Sequence, residues 1–129
     1  MTFRIVHYIN QFYAGIGGEE MAHVAPEFRQ GKVGPGAALQ AAFGAEAEIV
    51  GTVICGDNYF NEHNDEAKAT ILKMVSDCKP DALVAGPGFF AGRYGMACGD
   101  VCVTVKEKLG IPAVTALYPE NPGAESFSK

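Results

Sequence analysis

A chain of 129 residues that is 48% hydrophobic and 19% charged has the size and composition of one globular domain with its own core, which excludes a disordered or linker protein. Its net charge of −5 and pI near 5.1 argue against nucleic acid as a partner, because that binding needs a basic face. No apolar run approaches the roughly 20 residues that span a bilayer, so no membrane partner is predicted. Because no signal peptide precedes the first strand-like run, we expect a cytoplasmic location.

The N-terminal third of the chain predicts a strand, a long loop and a short helix. The run Phe3–Ile9 is apolar and β-branched, as a buried strand is. Glycines punctuate residues 10–35 without a clear period, and a long loop of that kind in a compact domain usually serves a function. The Ala-rich stretch Gly36–Phe43 predicts a helix that ends at Gly44.

The middle of the chain predicts a strand, a helix and a strand. Ala47–Ile54 is the second apolar, β-branched run. The helix that follows is expected to begin with Asn61 or Asn64 as its N-cap and to end before Pro80. Residues 82–85 then form a third strand, short and wholly apolar.

The last predicted elements are a helix and a strand. Val101, Val105 and Leu109 recur at helical spacing, Gly110 ends that helix, and residues 111–117 form the fourth strand. Because strands alternate with helices, we expect an α/β fold, a Rossmann-like or flavodoxin-like three-layer sandwich with a parallel sheet of at least four strands. Residues 1–129 form a single domain, which we expect to be the N-terminal fragment of a longer subunit.

The four cysteines, Cys55, Cys78, Cys98 and Cys102, form no CxxC pair and share no zinc-like spacing with histidine, so no metal site is predicted. Cys98 and Cys102 share the apolar face of a helix and are expected to be buried, reduced and unreactive. Cys55 ends a strand near Asp57, whose charge would raise the pKa of the thiol, and a small buried residue is favoured over a reactive one. His7, inside the first strand, is expected to be a core histidine.

One substrate crevice is predicted at the carboxyl ends of the strands. Ligands of open parallel sheets bind there, and glycine-rich or polar segments follow all four predicted strands, whereas the opposite connections are short. No Ser/His/Asp set and no P-loop lysine is present, so no catalytic residue is assigned. The candidate substrate-binding residues follow the four strands in turn: Asn10, Cys55, Asp57, Asn58, Arg93, Tyr94, Glu120 and Asn121.

The segment 86–91 fits the loose pattern GxGxxG/A between a strand and a helix. A dinucleotide site is weakly supported, because Pro87 removes one amide and no acid ends a strand about 20 residues further on. Backbone amides at the start of the helix could instead bind a carboxylate or a phosphate. The glycines of this predicted anion-binding loop are Gly86, Gly88 and Gly92.

Arg93 falls in the first turn of the same helix. Its planar fork of donors suits a substrate carboxylate, which would make it the anchor of the crevice. It could equally pair with an acid of the protein, such as Asp57 or Glu120. Both interpretations stay open.

Six segments, in order and over essentially the whole chain, resemble one known family. They are residues 5–12 (IVHYINQF), 14–20 (AGIGGEE), 33–36 (VGPG), 53–60 (VICGDNYF), 91–99 (AGRYG and ACG) and 118–123 (YPENPG). One such segment would be weak, but six together are specific. The chain resembles the N-terminal region of the large selenoprotein subunit of component B of the glycine, sarcosine and betaine reductases.

The resemblance implies reductive cleavage of the C–N bond of glycine, sarcosine or betaine. Component B would bind this small substrate, release ammonia or a methylated amine, and pass the carboxymethyl group to selenoprotein component A, with electrons from thioredoxin. The implied partners are component A and a pyruvoyl-type B subunit, in an oligomer. No cofactor is expected in this chain; the selenocysteine would lie downstream, so this piece alone should be inactive.

Two other functions remain open. The first is a nucleotide- or flavin-binding Rossmann-like domain that uses residues 86–91. The second is a subunit-assembly domain without a ligand, whose glycine-rich loops dock a partner.

Overall fold

The computed structural model describes residues 3–11, 13–17, 21, 23–88 and 92–117, and the side chains at 87, 88, 92–96, 116 and 117 lie outside that description. Strands and helices alternate over most of this length. In chain order the elements are β1 (Phe3–Ile9), β2 (Glu27–Gln30), α1 (Gly36–Phe43), β3 (Ala47–Ile54), α2 (Asp57–Glu62), α3 (Asn64–Cys78), β4 (Ala82–Gly88), α4 (Gly92–Leu109) and β5 (Ala113–Leu117).

The five strands form one mixed sheet in the order β2-β3-β1-β4-β5. The strands β3, β1, β4 and β5 are parallel to one another, and β2 is antiparallel to β3. The predicted set of four parallel strands is therefore present. The expectation of a wholly parallel sheet is wrong at one edge, where β2 turns back along β3.

The edge strand β2 lies in the segment that was predicted to be a loop. Its aromatic ring, Phe28, lies over Gly51 of β3, and a Cβ at position 51 would collide with that ring. Next to it Arg29 and Glu27 form an exposed ion pair with 2.5 Å between Nε and Oε2. These four residues lack an apolar alternation, so the strand depends on its contact with β3 rather than on a local preference.

The central strand β1 is buried on both faces, and its side chains alternate between two apolar clusters. Val6 and Tyr8 lie in the larger cluster, on the face that α3 and α4 cover. Ile5 lies in the smaller one, with Ile49 of β3 and with Leu39 of α1 packed against them. Each fully buried aliphatic side chain stabilises the fold by roughly 1.5–3 kcal/mol. The helical residues of the larger cluster include Ala67, Ile71, Val75, Val101 and Val105.

Several element ends differ from the predicted ones. The helix α3 begins at Asn64, and its N-cap is His63. The short helix α2 before it was not predicted, because its six residues, DNYFNE, show no apolar period. The strand β4 continues to Gly88. No helix in the described ranges is both long enough and apolar enough to cross a membrane.

The contact between Phe28 and Gly51 predicts a stability effect. Gly51→Ala should lower the free energy of unfolding by roughly 1–3 kcal/mol, because the new methyl group overpacks the space under the ring. In a Phe28→Ala background the same substitution should cost much less. Urea unfolding of the wild type, the two single variants and the double variant measures this difference. An equal loss of stability from Gly51→Ala in both backgrounds would show that the ring does not rest on Gly51.

Candidate functional site

The parallel strands bring their carboxyl ends to one edge of the sheet. At this edge the chain leaves β1 on the side of β3, towards β2, and leaves β4 on the other side, towards α4 and β5. Connections that diverge between two neighbouring parallel strands leave a crevice there, and it is where open α/β sheets bind ligands. The described site is therefore centred on the ends of β1 and β4.

Asn10 and Asp57 meet at this edge, although 47 positions separate them in the chain. The Asn10 amide donates to a carboxylate oxygen of Asp57 over 3.0 Å, and its own oxygen accepts from the backbone N–H of Tyr13 over 3.1 Å. Both side chains are buried, with 4% and 9% of their surface exposed. Asn10 therefore fixes the turn after β1 and the start of α2 at the same time, and it holds a carboxylate beside the crevice.

Cys55 follows β3 two residues before Asp57 and is fully buried. Its backbone N–H donates to the carbonyl of Ile9 over 3.2 Å, which continues the pairing of β3 with β1. Burial and the negative charge of Asp57 raise the pKa of the thiol to about 12, against a smaller opposite effect of a hydrogen bond with Tyr8. The thiol is therefore protonated near neutral pH and is a poor nucleophile, as the sequence analysis favoured.

The end of β4 is tied to β1 by a buried hydrogen bond. His7 Nε2 lies 2.6 Å from the carbonyl oxygen of Gly86. Because a carbonyl can only accept, Nε2 carries the proton and Nδ1 has the lone pair. Burial lowers the pKa of His7, against a smaller raising effect of the bond to Gly86. The neutral ring thus fixes the backbone at the point where β4 approaches the crevice.

Gly86 has a φ of +104°, a conformation that side-chain-bearing residues rarely adopt. Gly86 lies where the pairing of β4 with β5 is irregular, since the register of the two strands shifts between Ala85 and Gly88. The sequence analysis assigned three glycines to an anion-binding loop. Two of them, Gly86 and Gly88, lie near the end of β4, and the third, Gly92, begins α4.

Of the eight predicted substrate-binding residues, the described structure brings three together: Asn10, Cys55 and Asp57. Asn58 follows in α2, is half-buried and makes a polar contact of its own. Arg93 and Tyr94 are in the first turn of α4, but their side chains lie outside the described residues, as do Glu120 and Asn121 entirely. The convergence of those four therefore stays a prediction.

The sequence analysis did not single out the buried Gln11, and it expected His7 to be a core histidine without predicting its partner. Gln11 follows Asn10 with 4% of its surface exposed, and it makes a polar contact. The role of His7 in holding Gly86 depends on how β1 pairs with β4, which no local pattern reports. The one available signal for Gln11 was its place directly after a strand end. Within the described ranges, no group of three His, Cys, Asp or Glu side chains could hold a metal ion.

The comparisons with known proteins agree on one family. A family model described as glycine/sarcosine/betaine reductase selenoprotein B matches residues 2–129. The chain is 59% identical over 126 residues to the sarcosine reductase complex component B subunit beta of Peptoclostridium acidaminophilum. It is 60% identical over 127 residues to the glycine reductase complex component B subunit gamma of Carboxydothermus hydrogenoformans. It is 43% identical over 126 residues to the betaine reductase complex component B subunit beta of Peptoclostridium acidaminophilum.

Each of these alignments covers 98% of this chain but 29% of the relative. The chain therefore spans under a third of the length of these three relatives. No solved structure is significantly similar to it.

The state of His7 predicts a pH dependence of stability. Because its pKa is lowered in the folded chain from an ordinary value near 6.5, the unfolded chain binds more protons below that pH. The contribution of His7 is therefore complete above about pH 6.5 and is lost as the pH falls towards the lowered pKa. Urea unfolding between about pH 7.5 and 5.5 should show a smaller loss of stability for His7→Gln than for the wild type. The exposed His23→Gln is the control, and equal slopes for all three proteins would contradict the assignment.

The cysteines should differ in reactivity. Cys78 is partly exposed and should be alkylated first. Cys55, Cys98 and Cys102 are buried, and burial also raises the pKa of Cys102 to about 11. Timed iodoacetamide labelling of the folded chain, read by peptide mass spectrometry, checks this order. Labelling of Cys55 before Cys78 would show that the end of β3 is open to solvent, and labelling of Cys102 before Cys78 would show that the inner face of α4 is open.

Proposed function

Because the chain belongs to the glycine/sarcosine/betaine reductase selenoprotein B family, we propose that it forms the N-terminal, substrate-facing domain of a component B subunit. Its relatives are components of glycine, sarcosine and betaine reductase complexes. The proposed reaction of the whole complex is the selenium-dependent reductive cleavage of a C–N bond in the cytoplasm, with thioredoxin as the electron source. The selenocysteine would lie beyond residue 129, and component A and a pyruvoyl-type B subunit would be the partners.

The proposed fold is a flavodoxin-like three-layer sandwich. Counted among themselves, the four parallel strands follow the order 2-1-3-4, which is how the flavodoxin-like order begins. Packing supports it, since α1 contacts one face of the sheet and α3 and α4 contact the other. In this fold the ligand crevice opens between the first and third parallel strands, which here are β1 and β4.

The observation that carries the substrate proposal is the buried pair of Asn10 and Asp57 beside that crevice. Glycine, sarcosine and betaine share a positively charged nitrogen and a carboxylate one carbon apart. A carboxylate held in place by an amide suits the cationic nitrogen, whether or not that nitrogen carries hydrogens, because the attraction is between charges in a poorly solvated place. Arg93, at the start of α4, is proposed to take the substrate carboxylate through its planar fork.

The structure gives less support to a nucleotide or flavin at the same place. A dinucleotide loop offers a run of free backbone amides between strand and helix. Here Gly86 and Gly88 belong to β4, and the Gly86 carbonyl already accepts a hydrogen bond from His7. A role in assembly alone is compatible with the fold, and it differs from the substrate proposal in predicting no ligand.

Substrate binding should depend on both charges. In the full-length subunit, Asp57→Asn should weaken binding of whichever of glycine, sarcosine and betaine binds the unaltered protein, and Arg93→Ala should cost roughly 1.5–3 kcal/mol of binding free energy. Arg93→Lys should restore binding in part, since the charge returns without the fork. Isothermal titration calorimetry measures these affinities. Asp100→Asn is the matched control, because Asp100 pairs with Lys68 on the helices.

Unchanged affinity in both Asp57→Asn and Arg93→Ala would overturn the substrate proposal. Binding of a nucleotide or flavin that competes with no amino acid would favour the first alternative. Co-purification with the pyruvoyl-type B subunit, in the absence of any ligand binding, would favour the second.

A further inference from the structure

The helix α1 has no charged residue in its sequence, GAALQAAF. Its single polar side chain, Gln40, is used internally: the amide donates to the carbonyls of Gly44 and Ala47 and accepts from the N–H of Ile49. The alanines that point outward, Ala37, Ala38, Ala41 and Ala42, are exposed. A surface helix normally turns charged or polar residues to water, and a helix that is apolar all round is normally buried.

The face of the sheet that carries α1 is covered over β1 and β3 but not over all of β4 and β5. One row of side chains crosses this face of the parallel strands, from Thr52 in β3 through His7 in β1 and Val84 in β4 to Val114 in β5. Thr52 and His7 are fully buried, Val84 is half-buried, and Val114 is 59% exposed. Parallel strands normally have both faces covered, and among the described residues β4 and β5 lack the layer that α1 provides over β1 and β3.

A groove of about 400 Å³ lies where this uncovered part of the sheet meets α1. Its walls are almost wholly apolar, with Ala38, Leu39 and Ala42 on the helix and Val84 and Gly86 on β4. Alanines four residues apart let a second helix approach closely, since interaxial distances depend on the side chains at the contact. We call this groove, together with Val114, the α1–β5 groove.

The opposite side of the molecule is different. The outward residues of α3 and α4 include exposed charges of both signs: Asp65, Glu66, Lys73, Asp77, Lys106, Glu107 and Lys108. That surface is suited to water, and the α1–β5 groove is not. Exposed apolar surface of this kind is typical of a site that another molecule or another part of the polypeptide covers.

We propose that the α1–β5 groove is filled by an amphipathic helix of the same subunit, from the part that lies beyond residue 129. This inference rests on the proposed function, which places the chain inside a longer subunit. The matched region is 29% of each relative, so ample polypeptide exists to supply the helix. A helix fits better than a strand or loop, because it would extend the layer that α1 begins and satisfies its own backbone hydrogen bonds. Its inward face should be aliphatic, since the groove offers it apolar walls.

The test is carried out on the full-length subunit, in a Cys78→Ser background that removes the partly exposed thiol. Ala42→Cys and Val114→Cys place single thiols in the groove, and Ala69→Cys places one on the charged side of α3, where position 69 is exposed. We expect alkylation at 42 and 114 to be at least tenfold slower than at 69. Similar rates at all three positions would overturn the proposal.

A photo-cross-linking residue in place of Ala38 identifies the occupant. The expected product is an intrachain cross-link to a peptide beyond residue 129 that carries apolar residues at helical spacing. A cross-linked dimer, or protection at 42 and 114 that depends on protein concentration, would assign the groove to a second copy and refute the proposal. Protection that appears only with an added small molecule would refute it as well. Since none of these variants replaces Asn10, Asp57 or Arg93, substrate binding can be intact while this proposal fails, which separates the two.

Discussion

The sheet and the arrangement of its strand ends depend on β1, which is paired on both sides and buried on both faces. Its hydrogen bonds to β3 and β4 align the three strands, so the positions reached by their carboxyl ends are fixed relative to one another. The same burial forces its polar residue, His7, to find a partner, because an unpaired buried polar group costs about 1–3 kcal/mol. Gly86 supplies that partner. Through this bond the central strand fixes the position of the backbone at the end of β4.

The crevice itself is built from backbone turns that are held by a few buried polar side chains. Asn10 accepts a hydrogen bond in the turn after β1 and donates one to the carboxylate of Asp57. Cys55, which is fully buried near Asp57, adds no reactivity, since its thiol stays protonated. A charged group prepared in this way can respond to the charge of a ligand without rearrangement, which is the physical basis of preorganised binding.

How much the sequence predicted follows from how local each signal is. β1, α1 and β3 were predicted with their observed ends, because long apolar runs and the stop at Gly44 are local features. β2 was missed because EFRQ has no apolar alternation, and it becomes a strand by pairing with β3, which is distant in sequence. The meeting of Asn10 with Asp57 followed from parallel topology alone, which sends both strand ends to one edge. The bond from His7 to Gly86 depends on strand register, and register is not visible in a single sequence.

The two edges of the described sheet have different consequences for how the polypeptide is made. β2 closes one edge with a short antiparallel strand that carries a charged pair, a common defence against unwanted strand pairing. The other edge belongs to β5, the last of the described strands along the chain. Since β5 is synthesised after β4 and pairs on its outer side, it can join the sheet as the chain leaves the ribosome without separating strands that are already paired.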